Sequence, residues 1–182
     1  MRGVPYALVI GSIMYAMLCT RPDVSYALSV MRRYQSNLGE GHWVTVKNIL
    51  KYLRRTKELF LVCGGVEELV VSGYTDASFQ TDKDDSKSQY DFVISLNGGV
   101  VSWKSSKQET VADSTTEDEY IAASDAAKEA AWIRKFVSEL GIVASASCPV
   151  DLYCDNSGSI AQEKEPRSHQ NSKHILRCYH LI

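Results

Sequence analysis

Three acidic residues stand where a fold could bring them together: Asp76 in Gly73-Tyr74-Thr75-Asp76-Ala77-Ser78, Glu119 in Ser114-Thr115-Thr116-Glu117-Asp118-Glu119-Tyr120, and Asp155 in Tyr153-Cys154-Asp155-Asn156. Clustered carboxylates repel one another, so a site built from them calls for divalent cations. Two Mg²⁺ ions held this way can activate a water and stabilise the leaving oxygen of a phosphodiester. Each acid alone also has an ordinary role. Acids commonly end strands, and a glutamate in the first turns of a helix complements the helix dipole. The five cysteines, Cys19, Cys63, Cys148, Cys154 and Cys178, form no C-x-x-C pair and no zinc spacing. Their odd number argues against a closed disulfide framework, and most are expected to be small buried residues.

The elements that must position the acids follow from periodicity. Leu69–Tyr74 is β-branched and apolar and reads as a strand, with Asp76 just after it. Tyr90–Leu96 reads as a second strand, Asn97-Gly98-Gly99 as a hairpin turn and Val100–Lys104 as the return strand, with a polar loop over Gln80–Lys87. Ser114 to Leu140 is a long helix. Ser114 with Glu117, or Thr116 with Glu119, can form its capping box, and Gly141 stops it. Ala122, Ala123, Ala126, Ala127, Ala130 and Ala131 give it a smooth side for close approach to a sheet. Val150–Cys154 is a fourth strand ending at Asp155, and a short helix runs to about Glu163. A helical crossover lets the first and fourth strands lie parallel and adjacent, which brings the three acids together in a mixed α/β unit.

Ahead of this unit, residues 1–57 read as three helices: the apolar run from Val4 to Cys19, a helix opened by Arg21-Pro22-Asp23, and His42 to about Thr56 with Trp43, Val46, Leu50 and Leu53 on one face. The net charge of −2 hides a division. Residues 1–57 hold nine Lys/Arg against two Asp/Glu, giving +7, while residues 58–182 hold eleven against twenty, giving −9. The basic part suits phosphates or acidic lipid, and the acidic part repels nucleic acid unless metal ions intervene. No stretch reaches the ~20 apolar residues of a membrane span. Residues 1–19 read as a signal peptide or a buried helix, with one positive charge before an apolar run about as long as a signal-peptide core.

The motifs together resemble a copia-type retrotransposon polyprotein. Gly11-Ser12-Ile13-Met14-Tyr15-Ala16, Thr20-Arg21-Pro22-Asp23 and His42-Trp43 with Ile49-Leu50-Lys51-Tyr52-Leu53 resemble the end of its reverse transcriptase. Tyr74-Thr75-Asp76-Ala77, Val101-Ser102-Trp103-Lys104-Ser105, Ser114 to Ala123 and Tyr153-Cys154-Asp155-Asn156 resemble its ribonuclease H domain. Lys173-His174-Ile175 with Tyr179-His180 resembles the segment just after. The resemblance implies a helical remnant over 20–60 and a ribonuclease H-like mixed sheet with a long packed helix over 61–182. It also implies Mg²⁺ as cofactor, an RNA–DNA hybrid as substrate, and Asp76, Glu119 and Asp155 as catalytic and metal-binding acids.

Departures from the family weaken the catalytic expectation. The family continues with a strand and a helix carrying a fourth carboxylate, so the ribonuclease H-like fold is expected to be truncated and the site a relict. Asp91 stands where a glycine is usual, Asp113 at an apolar position and Asp118 at a small one. An unpaired buried acid costs several kcal/mol or shifts its pKa. Lys51-Tyr52-Leu53-Arg54 nearly matches the R-x-L-R motif of oomycete effectors, with Glu67-Glu68 as a weak acidic echo. The arrangement thus resembles copia-derived secreted RxLR effectors. That implies export through residues 1–19, a plant host protein as partner, action in the host cytoplasm or nucleus to suppress cell death or immunity, and no enzymatic activity. The competing expectations are a Mg²⁺-dependent ribonuclease H fragment and an inert transposon remnant.

Overall fold

The computed structural model describes residues 3–64, 70–82, 85–141 and 149–164. The sequence readings on Glu67-Glu68, Cys148, Cys178 and everything from residue 165 onward lie outside the described residues. The chain divides into two compact units, Met1–Leu61 and Val62–Ile182.

The first unit is three helices, α1 (Tyr6–Thr20), α2 (Ser25–Arg32) and α3 (Glu40–Arg55), with one 3₁₀ turn over Pro22–Val24 leading into α2. Proline at the head of that turn gives up an N–H that would have had no partner, and Asp23 beside it favours the positive helix end. Tyr6, Ile10 and Ile13 of α1, Leu28 and Met31 of α2, and Val46 and Ile49 of α3 form the core with Val24. The third helix packs Trp43, Val46 and Leu53 as the sequence suggests, but Ile49 takes the place expected of Leu50, which is 39% exposed, because the packed stripe runs through 43, 46, 49 and 53 at helical spacing. Tyr6 donates its hydroxyl to the Met31 carbonyl at 2.9 Å, which satisfies the one polar atom that its burial would strand. Arg21 binds both Asp23 oxygens at 2.9 and 2.7 Å and also reaches the Thr56 hydroxyl at 2.6 Å, tying the α2 entry to the end of α3. Among the described residues no helix is long and apolar enough to cross a membrane.

The second unit is a mixed α/β fold. Its sheet has the order β3-β2-β1-β4, from β1 (Val71–Ser78), β2 (Gln89–Leu96), β3 (Gly99–Lys107) and β4 (Asp151–Tyr153), with α4 (Thr115–Glu139) across it and α5 (Ser157–Lys164) after β4. β1, β2 and β3 are antiparallel neighbours, and β4 pairs parallel to β1 through Ser72↔Asp151, Gly73↔Leu152 and Tyr74↔Tyr153. The β2–β3 turn uses Asn97 and Gly98 at φ 56° and 77°, the left-handed pair that a two-residue hairpin of the right twist requires.

Alternation in β2 puts Tyr90, Phe92 and Ile94 on one face, where they meet Ala122, Ala126, Ala130, Ile133 and Val137 of α4. Ala122, Ala126 and Ala130 let the helix backbone come close, while Ala123 and Ala127 are only half-buried and Ala131 is exposed, so the smooth side is narrower than the sequence implies. Gly73 is required by the same closeness, since a Cβ there would lie 2.7 Å from Leu152 Cδ1 and 2.8 Å from Ile94 Cδ1. At the start of α4 the Ser114 hydroxyl accepts the Glu117 N–H at 3.2 Å, while the Glu117 carboxylate accepts the Asp113 N–H at 3.0 Å. Ser114 is therefore the cap, and Glu119 is left free for another role. Gly141, at φ 64°, ends the helix as expected.

Candidate metal centre

Strand β1 carries Asp76 further inside the sheet than the sequence suggests, because the strand runs on to Ser78 rather than stopping at Tyr74. Gly73 and Thr75 point to the buried side, so alternation turns Tyr74 and Asp76 to the open one. Directly across the β1–β2 ladder stands Asp91, in register with Asp76. The two acids therefore share a face at the distance of cross-strand neighbours, where like charges repel.

Glu119 lies in the second turn of α4 and is only 6% exposed. The Ala77 N–H donates to its Oε1 at 3.2 Å, and the Cys154 thiol donates to Oε2 at 3.7 Å. Burial, followed by the negative charges of Asp76 and Asp155, pushes the Glu119 carboxyl up to about 7. Asp155 follows β4 directly, so its position depends on the parallel pairing of that strand with β1. The next residue, Asn156, accepts the Ser159 N–H at 3.0 Å and starts α5. α5 packs against the first turn of α4 through Gly158, where a Cβ would lie 2.9 Å from Thr116 Oγ1. That contact holds the β4–α5 junction beside Glu119.

The result is a group of three possible ligands, Glu119, Cys154 and Asp155, whose donor atoms all lie within 4.8 Å of one another. Asp76 is outside this group but near enough to raise the Glu119 pKa. The structure thus brings the three acids of the sequence reading to one end of the sheet, and it adds Cys154. The sequence alone assigns that residue only a packing role, although its place directly before Asp155 signals a different one. Burial raises the thiol pKa first, with Glu119 and Asp155 adding to it, which leaves Cys154 a proton donor at neutral pH. The other cysteines described do not bear out the buried expectation, since Cys19 and Cys63 are both exposed.

The three unusual acids have different fates. Asp113 is exposed and costs no desolvation. Asp91 is half-buried and its pKa is raised, by burial first and by Asp76 as well, against a lowering from Ser105. Asp118 is fully buried, and neither of its oxygens has a hydrogen bond of good geometry. Burial pushes its carboxyl up to about 6, although Ser88 and Gln108 lie close enough to favour the charged form.

In the first unit, the Lys51-Tyr52-Leu53-Arg54 segment lies within α3. Leu53 packs against the core, and the Tyr52 hydroxyl donates to Asp23 at 2.7 Å beneath the Arg21 guanidinium. Lys51 and Arg54 are exposed.

No protein-family model matches the chain. It is 43% identical over all 182 residues to the retrovirus-related Pol polyprotein from transposon TNT 1-94 of Nicotiana tabacum, covering 13% of that protein. It is 36% identical over 179 residues to the corresponding polyprotein from transposon RE2 of Arabidopsis thaliana, covering 97% of the chain and 12% of the relative. The chain therefore spans about an eighth of these polyproteins. It is also 43% identical over 135 residues to secreted RxLR effector protein 161 of Plasmopara viticola, covering 73% of the chain and 94% of the effector. Matches to polyproteins from two plants that cover all and 97% of the chain identify its origin: the chain belongs to the family of copia-type retrovirus-related Pol polyproteins.

Proposed function

We propose that the second unit is a ribonuclease H-like module of a retrotransposon polyprotein, with Glu119, Asp155 and Asp76 holding divalent cations to hydrolyse the RNA strand of an RNA–DNA hybrid. The observation that carries this reading is the buried Glu119 carboxylate, set among Cys154 and Asp155 with donor atoms within 4.8 Å. A carboxyl raised to about 7 by burial first, and by the charges of Asp76 and Asp155 after it, is a group whose charged form a cation would favour. This donor set, two carboxylates and one protonated thiol with a third carboxylate nearby, fits a hard divalent ion through its oxygens. When bound, such an ion lowers the pKa of water and neutralises charge on the leaving oxygen. The protein's own part is positional. The Ala77 N–H fixes one Glu119 oxygen, the β4–β1 pairing fixes Asp155, and Asp76 and Asp155 remain exposed to an incoming strand.

A labelled RNA–DNA hybrid incubated with purified chain and Mg²⁺ or Mn²⁺ tests this. Cleavage of the RNA strand, lost in Asp76→Asn, Glu119→Gln and Asp155→Asn, is the expected outcome. Folded protein that binds Mn²⁺ and leaves the hybrid intact rejects it.

A second reading draws on different observations: the match to nearly the whole of an RxLR effector, and the buried Asp118 next to Glu119, whose carboxyl burial raises to about 6. Under it the scaffold is non-catalytic, is exported through residues 1–19 and suppresses cell death in plant cells. A reporter fused to residues 1–19 that stays inside the producing cell counts against that reading. If both assays are negative, the inert remnant is what stands.

A further inference from the structure

We infer that Cys154 gives the acidic centre a second occupant of a different chemical class: a thiophilic divalent cation of the Zn²⁺ type, bound by Cys154 Sγ together with the Glu119 and Asp155 carboxylates. Cys154 and Asp155 are consecutive, and within a strand their side chains would face opposite sides of the sheet. They converge because β4 ends at Tyr153 and the chain bends at Asp155. The three donor atoms then lie within 4.8 Å of one another. A tetrahedral Zn²⁺ with bonds of about 2.3 Å to sulfur and about 2.1 Å to oxygen sets those ligands about 3.6 Å apart. Cys154 Sγ already stands 3.7 Å from Glu119 Oε2, and Asp155, short and exposed, has room to close the remaining gap.

Three observations favour this ion over a fortuitous contact. The donor group that the fold assembles is not the all-oxygen set that Mg²⁺ takes, since Asp76 lies outside it and sulfur lies inside. Glu119 is buried, and the Ala77 N–H holds its Oε1 at 3.2 Å, an outer contact of the kind that fixes a ligand's direction. Its Oε2 is thereby turned to Cys154 and meets no donor but that thiol among the described residues. Nor, among those residues, does any lysine, arginine or histidine form an ion pair with Glu119, Cys154 or Asp155, so the negative charge gathered here is left to a cation. Three protein ligands with a fourth position for water make an open Zn²⁺ site. The thiol proton passes to solvent as the sulfur–metal bond forms.

The inference rests on the proposed reading for Glu119 and Asp155 as cation ligands, but not for hydrolysis; a Zn²⁺ ion here would exclude the hard cation that hydrolysis needs. The full chain is titrated with Co²⁺, as a Zn²⁺ surrogate, under a non-thiol reductant. So is a variant with Cys19, Cys63, Cys148 and Cys178 all replaced by serine. Both should develop a thiolate-to-cobalt charge-transfer band that saturates at one ion per chain and is bleached by Zn²⁺. Cys154→Ser in the otherwise unchanged chain should abolish that band, with circular dichroism confirming the fold. By calorimetry the same substitution should lower the ratio of Zn²⁺ to Mn²⁺ affinity about 100-fold, because Mn²⁺ binds through oxygen. A merely structural role for Cys154 would weaken both ions equally. Co²⁺ bound without the band, a band that survives Cys154→Ser, or an unchanged affinity ratio overturns the inference, and the hard-cation reading then stands as long as Mn²⁺ binds. The band with no Mn²⁺ binding supports the inference and rejects the hydrolytic reading alone.

Discussion

Replacing Asp118 by asparagine should stabilise the protein, and only above acidic pH. The side chain is fully buried, neither oxygen has a hydrogen bond of good geometry, and Gln108 Oε1 is also buried without a partner. Its carboxyl titrates at about 6 in the folded chain against 3.8 in an unperturbed one. At 1.36 kcal/mol per unit, the folded state gives up about 3 kcal/mol once the group is ionised in both states. The sign follows from the raised value. Well below 3.8 the acid is neutral folded and unfolded, so the penalty is absent; it grows as pH rises through 3.8 and is complete once pH is well above 6. Asp118→Asn conserves volume and removes the charge, and the introduced amide gains a donor near Gln108 Oε1. Urea melts of both proteins at pH 4, 6 and 8 should therefore show a difference that widens by about 2.5 kcal/mol, equivalent to about 5–10 °C in melting temperature for a chain of this size. Any fixed packing effect of the amide shifts all three points equally. A difference that stays flat with pH would refute the reasoning, as would one that shrinks.

Mn²⁺ affinity at the carboxylate centre should rise about tenfold between pH 6 and 8, as Glu119 gives up the proton it holds near pH 7; calorimetric titration with a flat pH profile would count against its role as ligand. Asp76→Asn should move that rise to lower pH by removing one of the charges that raise the Glu119 pKa. Gly73→Ala should cost about 1–3 kcal/mol in urea denaturation, because the new methyl would lie within 3 Å of both Leu152 and Ile94. Arg21→Ala should cost about 1.5–3 kcal/mol by thermal melting through loss of charge-assisted bonds to Asp23. Since Arg21 lowers the Asp23 pKa, the contribution of this pair is present at neutral pH and lost as pH falls through the lowered value, so the variant and wild type should converge in acid.

Much of the architecture was legible from local chemistry. The Asn97-Gly98 turn and the Gly141 stop depend on a few adjacent residues and lie where the sequence places them; the Ser114 cap is one of the two the sequence offers, and half of the expected alanine face of α4 meets the sheet. The misses share a cause in tertiary contact. The run of apolar residues ending at Tyr74 marked only the start of β1. Asp76 and Ser78 belong to the strand because β2 supplies partners for them, which composition cannot reveal. Ile49 and Leu50 are both apolar neighbours in sequence, and only the rotation of α3 against α1 and α2 decides which is buried. The acids of the site were found by their positions at element ends together with the family resemblance. Cys154 was passed over because a cysteine reads first as a small apolar filler. Asp113 and Asp118 look alike in the sequence, yet one is exposed before the helix and the other fully buried inside its first turns.

The shortness of β4 bears on how the second unit moves. Only three of its residues pair with β1, yet the thiol and carboxylate that complete the acidic cluster are attached to its end. Detaching that strand would break few backbone bonds and leave the β1–β3 meander and α4 folded, so it belongs among the low-energy local openings of the molecule. An ion that recognises only the docked arrangement would then act as a clasp. At a hundredfold excess over its dissociation constant it would hold the strand down by about 2.7 kcal/mol, slowing amide exchange at Leu152 and Tyr153 about a hundredfold while leaving the far side of the sheet untouched.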